Sequence, residues 1–264
     1  GSVEPHYFAG ITGAHKTLAI GCLSFDGVQA NHAAALDPAS GVLAIADNPV
    51  FDGIAEHLRR LSAGRRVLAF DHVLSGERVA AAELGPPLET ALRLVPAVRD
   101  VYVRPTPRPA DILHLRVPPP LGRDLYQADK ALKNAHAAVR PGGAIVLEAE
   151  CSGGVGPSAF LDLLRAAASY DDALREVRRR GYRLGDHKAV KLRDLTDPRR
   201  RGVHVALASA NVDDDDARTA GMERFDDAPA AIAWAAQRVA ADSRPPLCVR
   251  VEDAGVVIPR PAEA

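Results

Sequence analysis

The stretch Asp111-Ile-Leu-His-Leu-Arg-Val117 has the pattern of a buried strand, and it decides the fold. Residues 125–139 follow it and repeat apolar side chains every three or four positions, which predicts an amphipathic helix. Pro141-Gly142-Gly143 is expected to end that helix, and residues 144–149 form a second apolar run. A strand, a helix and a strand in this order predict two parallel strands joined by a right-handed crossover.

The rest of the chain continues this alternation of strands and helices. Residues 79–95 are harder to assign because Gly85-Pro86-Pro87 interrupts them, and the acidic run at 213–216 indicates a turn or a helix N-terminus. The pattern predicts an α/β fold of two lobes, with mostly parallel or mixed sheets flanked by helices. The remaining predicted strands are 41–47, 66–73, 203–208 and 247–251, and the remaining predicted helices are 52–61, 158–180 and 228–241.

A proline-rich break at residues 96–109 marks the expected boundary between the lobes. The predicted lobes are therefore residues 1–100 and residues 101–264. The last strand, 247–251, belongs either to the second lobe or to the first, if the chain returns there.

Composition excludes several classes of function. Of the 264 residues, 47% are hydrophobic and 25% are charged, as in ordinary globular proteins, and the net charge of -1 gives no basis for binding nucleic acid or a membrane surface. No stretch approaches the roughly 18 apolar residues of a membrane span. Cys22, Cys151 and Cys248 form neither a disulfide pattern nor a paired metal motif, so a reducing cytoplasmic location is expected.

A glycine-punctuated run near the N-terminus, expected to be a loop, contains the first candidate functional residues. His6 has the pKa needed for proton transfer near neutral pH, although a lone histidine is often structural. Lys16 is a candidate phosphate ligand or nucleophile, or else a surface lysine, and it does not fit a phosphate-binding P-loop. His32 could bind a metal through one ring nitrogen, but no second ligand motif accompanies it.

A second candidate site lies at the start of the helix that follows three prolines. Gln127 and Lys130 are three residues apart and share a helix face next to Tyr126. Helix N-termini attract anions, so a carboxylate substrate is one interpretation and a solvated first turn is the other. The run Cys151-Ser-Gly-Gly-Val-Gly156 is interpreted as a supporting loop, and His187-Lys188 as a weaker candidate.

Together these motifs resemble the nickel-dependent lactate racemase family, which includes related 2-hydroxy-acid racemases and epimerases. The matches follow the order of the family motifs and extend over nearly the whole chain. They are Pro5-His-Tyr-Phe-Ala-Gly10, Thr12-Gly13 with Lys16, Ala30-Asn-His32, Asp124-Leu-Tyr-Gln-Ala-Asp-Lys130, Pro141-Gly-Gly143, Gly185-Asp-His-Lys-Ala189 and Asp253-Ala-Gly255.

The resemblance implies a function and a set of roles. It implies that Lys16 carries a nickel-pincer nucleotide, a mononucleotide derived from pyridinium-3,5-dicarboxylic acid, in a loop that includes Thr12 and Gly13. It also implies that His32 ligates the nickel and that His6 is an acid/base group. The implied substrate contacts are Tyr126, Gln127 and Lys130, and the implied reaction is reversible hydride transfer from a 2-hydroxy acid to the cofactor.

Two departures from the family pattern are visible. The family loop usually reads Gly-Gly-Arg-Lys, whereas this chain has Gly13-Ala14-His15-Lys16. The family's N-terminal segment, with the other catalytic histidine, is expected to lie outside this sequence, which makes residues 1–100 the C-terminal portion of the cofactor-binding lobe. The expected partners are therefore that segment and the cofactor-synthesis proteins, and the chain alone is expected to be inactive.

Two alternatives stay open at the level of sequence. One is a non-catalytic family member that keeps the fold and Lys16 but does not turn over substrate. The other is an S-adenosylmethionine-dependent methyltransferase-like enzyme, suggested by the strand around Pro141-Gly142-Gly143, although its glycine-rich first strand is not found.

Overall fold

Two compact units make up the chain, Gly1–Val103 and Arg104–Ala264. The computed structural model describes residues 1–157, 159–239 and 245–262. The point of division falls within the proline-rich break at residues 96–109. The α/β class predicted from the sequence is confirmed.

The first unit contains five helices and two small antiparallel strand pairs within its described residues. Its strands pair β1 with β2 and β3 with β4. The strands are β1 Pro5–His6, β2 Gly10–Ile11, β3 Ala69–Ser75 and β4 Arg78–Gly85. The helices are α1 Ala14–Gly21, α2 Phe25–Ala33, α3 Pro49–Leu61, α4 Pro87–Arg93 and α5 Val95–Tyr102.

Helix α3 forms where the sequence predicts it, and its start has a local cause. The side chain of Asn48 accepts hydrogen bonds from the amides of Val50 and Phe51, and Pro49 occupies the first turn. The predicted strand at 41–47 is wrong, because Val42 forms only a single bridge to Gly10. The side-chain amide of Asn48 donates to the carbonyls of Ala44 in that segment and of Phe8, so the segment leads into α3 without forming a strand.

The core of the first unit packs residues 5–11 against helices α1 and α3. Aromatic residues of the turn between β1 and β2 pack against apolar residues of these helices, so burial of apolar surface holds the segment around His6 in place. The buried members are Tyr7, Phe8, Ala9, Ala19, Ala35, Val50, Ile54 and Leu58.

The second unit is built on a five-stranded parallel sheet with the order β10-β6-β7-β8-β9. A separate strand pair joins β5 to β11. The strands are β5 Val103–Thr106, β6 Ala110–Arg116, β7 Val139–Glu148, β8 His204–Ala208, β9 Met222–Phe225, β10 Cys248–Val251 and β11 Ile258–Pro261. The helices are α6 Leu125–Ala128, α7 Lys130–Asn134, α8 Ala159–Ala166, α9 Tyr170–Arg180, α10 Asp186–Thr196, α11 Asp214–Thr219 and α12 Ala228–Arg238.

The helix predicted over residues 125–139 is wrong in its second half. It is divided into α6 and α7 at Asp129 and ends at Asn134, whose side chain donates to the carbonyls of Ala254 and Gly255. Pro141-Gly142-Gly143 does not end a helix but lies inside β7, where Val139 already pairs with β6. The pairing with β6 therefore outweighs the helical periodicity.

The remaining elements of the second unit agree with the predictions in most places. Helices α8, α9 and α12 and strands β8 and β10 are confirmed, while residues 158 and 240–241 of the predicted helices lie outside the described residues. The predicted last strand is β10, and it pairs with β6 inside this unit. Helix α10 and strands β5, β9 and β11 were not predicted. No helix in the described part of the chain is long and apolar enough to cross a membrane.

Candidate functional site

The ring of Phe8 contacts both of the predicted N-terminal histidines. Its centroid lies 4.6 Å from that of His6, with the rings perpendicular, and 5.0 Å from that of His32. Phe8 is only 2% exposed, so the two imidazoles are arranged around a fixed aromatic ring. Residues 26 positions apart in sequence are thereby brought together. We call His6, Phe8 and His32 the histidine cluster and include in it Lys16, whose charge acts on His32.

The hydrogen bonding of His32 determines which of its nitrogens can act as a ligand. His32 lies in α2, and its Nδ1 is 2.8 Å from the carbonyl oxygen of Val28, which can only accept. The ring proton therefore sits on Nδ1, and Nε2 carries the lone pair. Burial and the nearby Lys16 ammonium lower the pKa of His32, although the Val28 carbonyl opposes the shift. The neutral imidazole, which is the form that binds metals, is favoured.

His6 is held in a different way. Its Nδ1 accepts a hydrogen bond of 3.2 Å from the amide of Ala9, and its ring stacks on Tyr7 at 5.0 Å. In this arrangement the neutral ring has its proton on Nε2. His6 is half-buried at the end of β1, so the ring is restrained without being enclosed.

Lys16 lies in the first turn of α1 and not in a loop, which corrects the prediction for the whole run. The helix begins after Gly13, and the carboxylate of Asp71 accepts a 2.9 Å hydrogen bond from the amide of Ala14. A carboxylate at this end is favoured by the helix dipole. The Lys16 charge lowers the pKa of His15 as well as that of His32, so its electrostatic field reaches both imidazoles.

Thr12 and Gly13 shape the turn that leads into α1. The Thr12 hydroxyl accepts from the amide of Glu4 at 2.8 Å and donates to the carbonyl of Ser2 at 3.0 Å. Gly13 has a φ of 140°, and a Cβ there would lie 3.1 Å from Nδ1 of His15. Both residues therefore have structural roles in this turn, independent of any ligand.

His15 replaces the arginine of the family loop and is completely buried. Neither of its ring nitrogens has a hydrogen-bond partner among the described residues. Burial lowers its pKa to about 4, which outweighs the opposing effect of Asp71, and Lys16 lowers it further. His15 is therefore a neutral packing residue between Gly13 and Phe51, whose ring centroid is 5.6 Å from its own.

The second unit holds Tyr126 and Gln127 on α6 and Lys130 at the start of α7. The backbone amides at the start of this helix already have hydrogen-bond partners within the chain. The amide of Gln127 donates to the carboxylate of Asp124 at 2.7 Å, and the amide of Tyr126 donates to the carbonyl of Val155 at 3.0 Å. Any anion bound here would therefore have to be held by side chains.

The glycine-rich loop after β7 supports α6, as the sequence indicates. The amide of Leu125 donates to the carbonyl of Gly154, and Cys151 is buried beneath the loop. Burial raises the pKa of the Cys151 thiol to about 11, which makes it an unreactive structural residue.

Sequence reasoning gave little weight to Lys188, yet this residue contacts the predicted substrate-binding segment directly. Its Nζ donates to the carbonyl of Tyr126 at 2.6 Å and lies 4.4 Å from the centre of the Tyr126 ring. It is 1% exposed and makes an ion pair of 3.3 Å with Asp129. The Gly185-Asp-His-Lys188 motif marked this lysine as a weak candidate site residue, but nothing in the sequence showed that its side chain is buried.

Asp129 is the centre of a buried charge group. It is fully buried and pairs with both Lys188 and Lys133, so two ammonium groups share one carboxylate. Burial lowers the pKa of Lys188 to about 7, opposed by Asp129 and reinforced by Lys133 and Lys130. The pKa of Lys133 is also lowered by its burial. A buried group of this kind is costly unless each charge is paired.

A cavity of about 550 Å³ lies at the carboxyl ends of β6 to β9. It is lined by acidic residues, including Glu150 and Asp227, together with Arg116 and Asn211. Crevices at this edge of a parallel sheet often bind ligands. None of the eight predicted site residues lines it.

Within the described residues, no group of three or more histidine, cysteine, aspartate or glutamate side chains is arranged to hold a metal ion. The chemistry of the histidine cluster nevertheless fits an organometallic cofactor. His32 has a neutral ring with its lone pair on Nε2, and Lys16 is a primary amine whose charge acts on that ring.

These features define a two-unit α/β protein with a histidine–lysine cluster in one unit and a lysine-rich segment in the other. The profile of the lactate racemase N-terminal domain matches residues 1–42, and that of the lactate racemase C-terminal domain matches residues 109–187. Both matches assign similarity to the lactate racemase family, one in each unit of the chain.

Individual relatives agree with this assignment. The lactate racemase of Thermoanaerobacterium thermosaccharolyticum is 27% identical over 188 residues, which cover 69% of this chain and 42% of that protein. The structure of a lactate racemase apoprotein from the same organism matches with a TM-score of 0.84 at 22% identity, covering 98% of this chain and 61% of that one. A Thermotoga maritima protein matches with a TM-score of 0.72 at 15% identity, covering 99% and 65% respectively. The chain thus spans less than two thirds of the length of each of these relatives.

Proposed function

We propose that this chain contributes the cofactor-holding and substrate-holding residues of a racemase or epimerase that acts on a lactate-like 2-hydroxy acid. One observation carries the proposal. Phe8 contacts His6 and His32, and the Lys16 charge acts on His32, so the three side chains for which the family resemblance implies chemistry form one cluster. The family assignment supports the class of reaction.

The proposed cofactor is a nickel-pincer nucleotide, with Lys16 as its covalent attachment point and Nε2 of His32 as a nickel ligand. When bound, it supplies a reversible hydride acceptor. The Val28 carbonyl fixes the required tautomer of His32, and the lowered pKa keeps the ring neutral. Thr12 and Gly13 are proposed to act through the shape of the turn before Lys16.

His6 is the proposed acid/base group. Removal of the hydroxyl proton and of the C2 hydrogen as hydride turns a 2-hydroxy acid into a planar 2-keto acid, so a base must accept the proton. With Nδ1 accepting from Ala9, Nε2 of His6 carries a proton and can only donate. We therefore propose that the ring releases the Ala9 amide when it accepts the substrate proton.

Lys130 and Gln127 are the proposed partners of the substrate carboxylate, with Tyr126 beside them. An ammonium group and a side-chain amide can bind one carboxylate at the same time, which fixes the orientation of the C2 atom. Because the helix amides are already engaged, this role depends on the side chains alone.

We propose that the acid/base group for the opposite face of the substrate is supplied by polypeptide outside these 264 residues, since the residues that align with the Thermoanaerobacterium thermosaccharolyticum lactate racemase cover 42% of that protein. On this proposal the chain alone does not racemise lactate, and cofactor-synthesis proteins load Lys16. The three free cysteines support a reducing, cytoplasmic location.

The decisive experiment is coexpression of the chain with cofactor-synthesis proteins, followed by peptide mass spectrometry. We expect a mass increase on the peptide that contains Lys16, and no increase in Lys16→Arg. In His32→Phe we expect the organic group to be attached, but the nickel content per chain to be lower than in wild type.

Enantiomeric lactate measured by chiral chromatography gives the second readout. We expect no racemisation by the loaded chain alone, and racemisation once the remaining polypeptide of a relative is added. A loaded chain that stays inactive in every combination would indicate a non-catalytic family member. An unloaded chain that binds S-adenosylmethionine would contradict the proposal.

A further inference from the structure

Tyr126 is enclosed by residues of the Gly-Asp-His-Lys motif at the start of α10. The Lys188 ammonium lies over the face of the Tyr126 ring and binds the carbonyl of the same residue. A Cβ built on Gly185 would lie 3.6 Å from Cε2 of that ring, and Phe160 meets the ring edge-on at 6.0 Å. Tyr126 is thus held at its backbone and at its ring by the same motif.

The start of α10 is itself fixed. Asp186 accepts two hydrogen bonds from Arg180, at 2.7 and 2.9 Å, and a third of 2.6 Å from the amide of Arg183. His187 pairs with the hydroxyl of Tyr182 at 2.7 Å. Bidentate contacts between arginine and a carboxylate define geometry closely. Lys188 therefore extends from a rigid base, and the position of its ammonium is well defined.

Lys188 reaches two points of one short segment. It binds the carbonyl of Tyr126 and the carboxylate of Asp129, which bracket Gln127 and precede Lys130. The helical segment is divided at Asp129, between α6 and α7, although the Asp129 amide still donates to the carbonyl of Leu125 at 2.9 Å. An ammonium that binds Tyr126 in α6 and Asp129 at the point of division adds a restraint from α10 to this segment.

We propose that Lys188 is a positioning residue, which fixes Tyr126, Gln127 and Lys130 for binding of the substrate carboxylate through its contacts with Tyr126 and Asp129. This inference rests on the proposed function, because it assigns the role of an additional residue at the proposed substrate site. Lys188 is too deeply buried to contact substrate, so its effect passes through the residues that it holds.

Lys133 provides a matched control. It also is buried, and it also pairs with Asp129, but no contact of Lys133 with Tyr126 is recorded among the described residues. Lys133→Met removes one partner of the buried Asp129 carboxylate. Lys188→Met removes the other partner and also the contacts with the carbonyl and ring of Tyr126. A role limited to charge balance predicts that the two variants behave alike.

The experiment measures hydrogen–deuterium exchange over residues 125–130 and the affinity for L-lactate by NMR titration, using the full chain. We expect Lys188→Met to increase exchange in this segment and to weaken lactate binding roughly tenfold, because the restraint on the side chains is lost. We expect Lys133→Met to lower thermal stability while lactate binding changes by less than about twofold. Lys188→Arg keeps a donor and a charge, and should recover part of the affinity.

Equal loss of lactate affinity in the two methionine variants, or unchanged exchange in Lys188→Met, would overturn the inference. The proposed function has its own readout, which is lactate binding by the wild-type chain and its loss in Lys130→Met. If the wild-type chain binds no lactate even when the remaining polypeptide of a relative is added, the proposed substrate is wrong, while the exchange data still decide whether Lys188 restrains the segment.

Discussion

The carboxylate of Asp71 accepts a hydrogen bond from the backbone amide of Ala14, two residues before Lys16. The same carboxylate accepts a 2.6 Å hydrogen bond from the hydroxyl of Thr90. A fully buried side chain of β3 thus fixes the start of α1 and, with it, the origin of the lysine side chain.

Replacement of Asp71 by alanine is therefore expected to destabilise the first unit. The change leaves the Ala14 amide without its acceptor and removes a favourable charge at the helix N-terminus, which should lower the free energy of unfolding by about 2–3 kcal/mol. Urea unfolding monitored by circular dichroism measures the change. Glu77→Ala, in the exposed turn of the same hairpin, is the control and should stay within about 0.5 kcal/mol of wild type.

A pH-dependent loss of stability is expected from His15. Its pKa is lowered to about 4 in the folded chain, whereas an unfolded histidine titrates near 6.5. The unfolded state therefore binds more protons between these values, and stability is complete above about pH 6.5 and falls progressively towards pH 4. The loss should approach about 3 kcal/mol, from the difference between the two pKa values.

His15→Phe tests this linkage because it removes the titrating group and keeps an aromatic ring. The difference in unfolding free energy between pH 7.5 and pH 4.5 should become smaller in the variant than in wild type. An unchanged difference would show that another group causes the acid sensitivity.

Gly10 is expected to tolerate no side chain. It adopts a φ of 74°, and a Cβ would lie 2.3 Å from the carbonyl oxygen of Ala44. Gly10→Ala should therefore cost more than the roughly 1 kcal/mol of positive-φ strain alone. Gly76→Ala isolates the strain, because Gly76 has a φ of 61° with no atom within 4 Å of the added carbon. Equal melting temperatures for the two variants would contradict the steric argument.

Asp111 is expected to be essential for the stability of the second unit. It is buried, which would raise its pKa, but hydrogen bonds from Arg108, the Leu247 amide and Arg140 hold the pKa well below its usual range. Its stabilisation is thus present above the usual pKa of an aspartate and is lost as pH falls through the lowered value.

Asp111→Ala leaves these arginines without their carboxylate and should reduce the free energy of unfolding by about 3–5 kcal/mol at pH 7. Glu252→Ala removes exposed ion pairs with Arg116 and Arg250, and should cost less than about 1 kcal/mol. Thermal unfolding of both variants separates buried from exposed charge. A similar shift in melting temperature for the two would show that the Asp111 contacts contribute little.

The sequence predicted those elements whose apolar pattern agrees with their final environment. Strand β6 and helix α3 formed as expected because their side-chain periodicity matches the face that each buries. Residues 125–139 did not form the single helix expected, because the chain from Val139 onwards pairs with β6. Local periodicity cannot reveal such a contact. Helices α1 and α2 were missed because glycines in the run suggested a loop, whereas Asp71 and Ser24 supply their N-terminal contacts.

The candidate site likewise has residues that the sequence predicted and contacts that it did not. His6, Lys16 and His32 could be selected by residue type and by family resemblance, but their grouping depends on Phe8, whose role is visible only in the structure. The partner of the Gln127 amide, Asp124, is local, but the partners of the Leu125 and Tyr126 amides and the burial of Lys188 arise from segments distant in sequence. Such long-range pairings are set by packing, and a single sequence does not encode them in a readable spacing.

The order of strands in the second unit constrains how it can assemble. Strand β10 is the last of the parallel strands to be synthesised, yet it pairs with β6, the first, and the Leu247 amide binds Asp111 across 136 positions of chain. Until those residues have left the ribosome, the outer edge of β6 has no partner and offers open backbone groups to any neighbouring strand. High contact order of this kind slows folding, so the nascent chain is expected to be most prone to aggregation just before its last strand is completed.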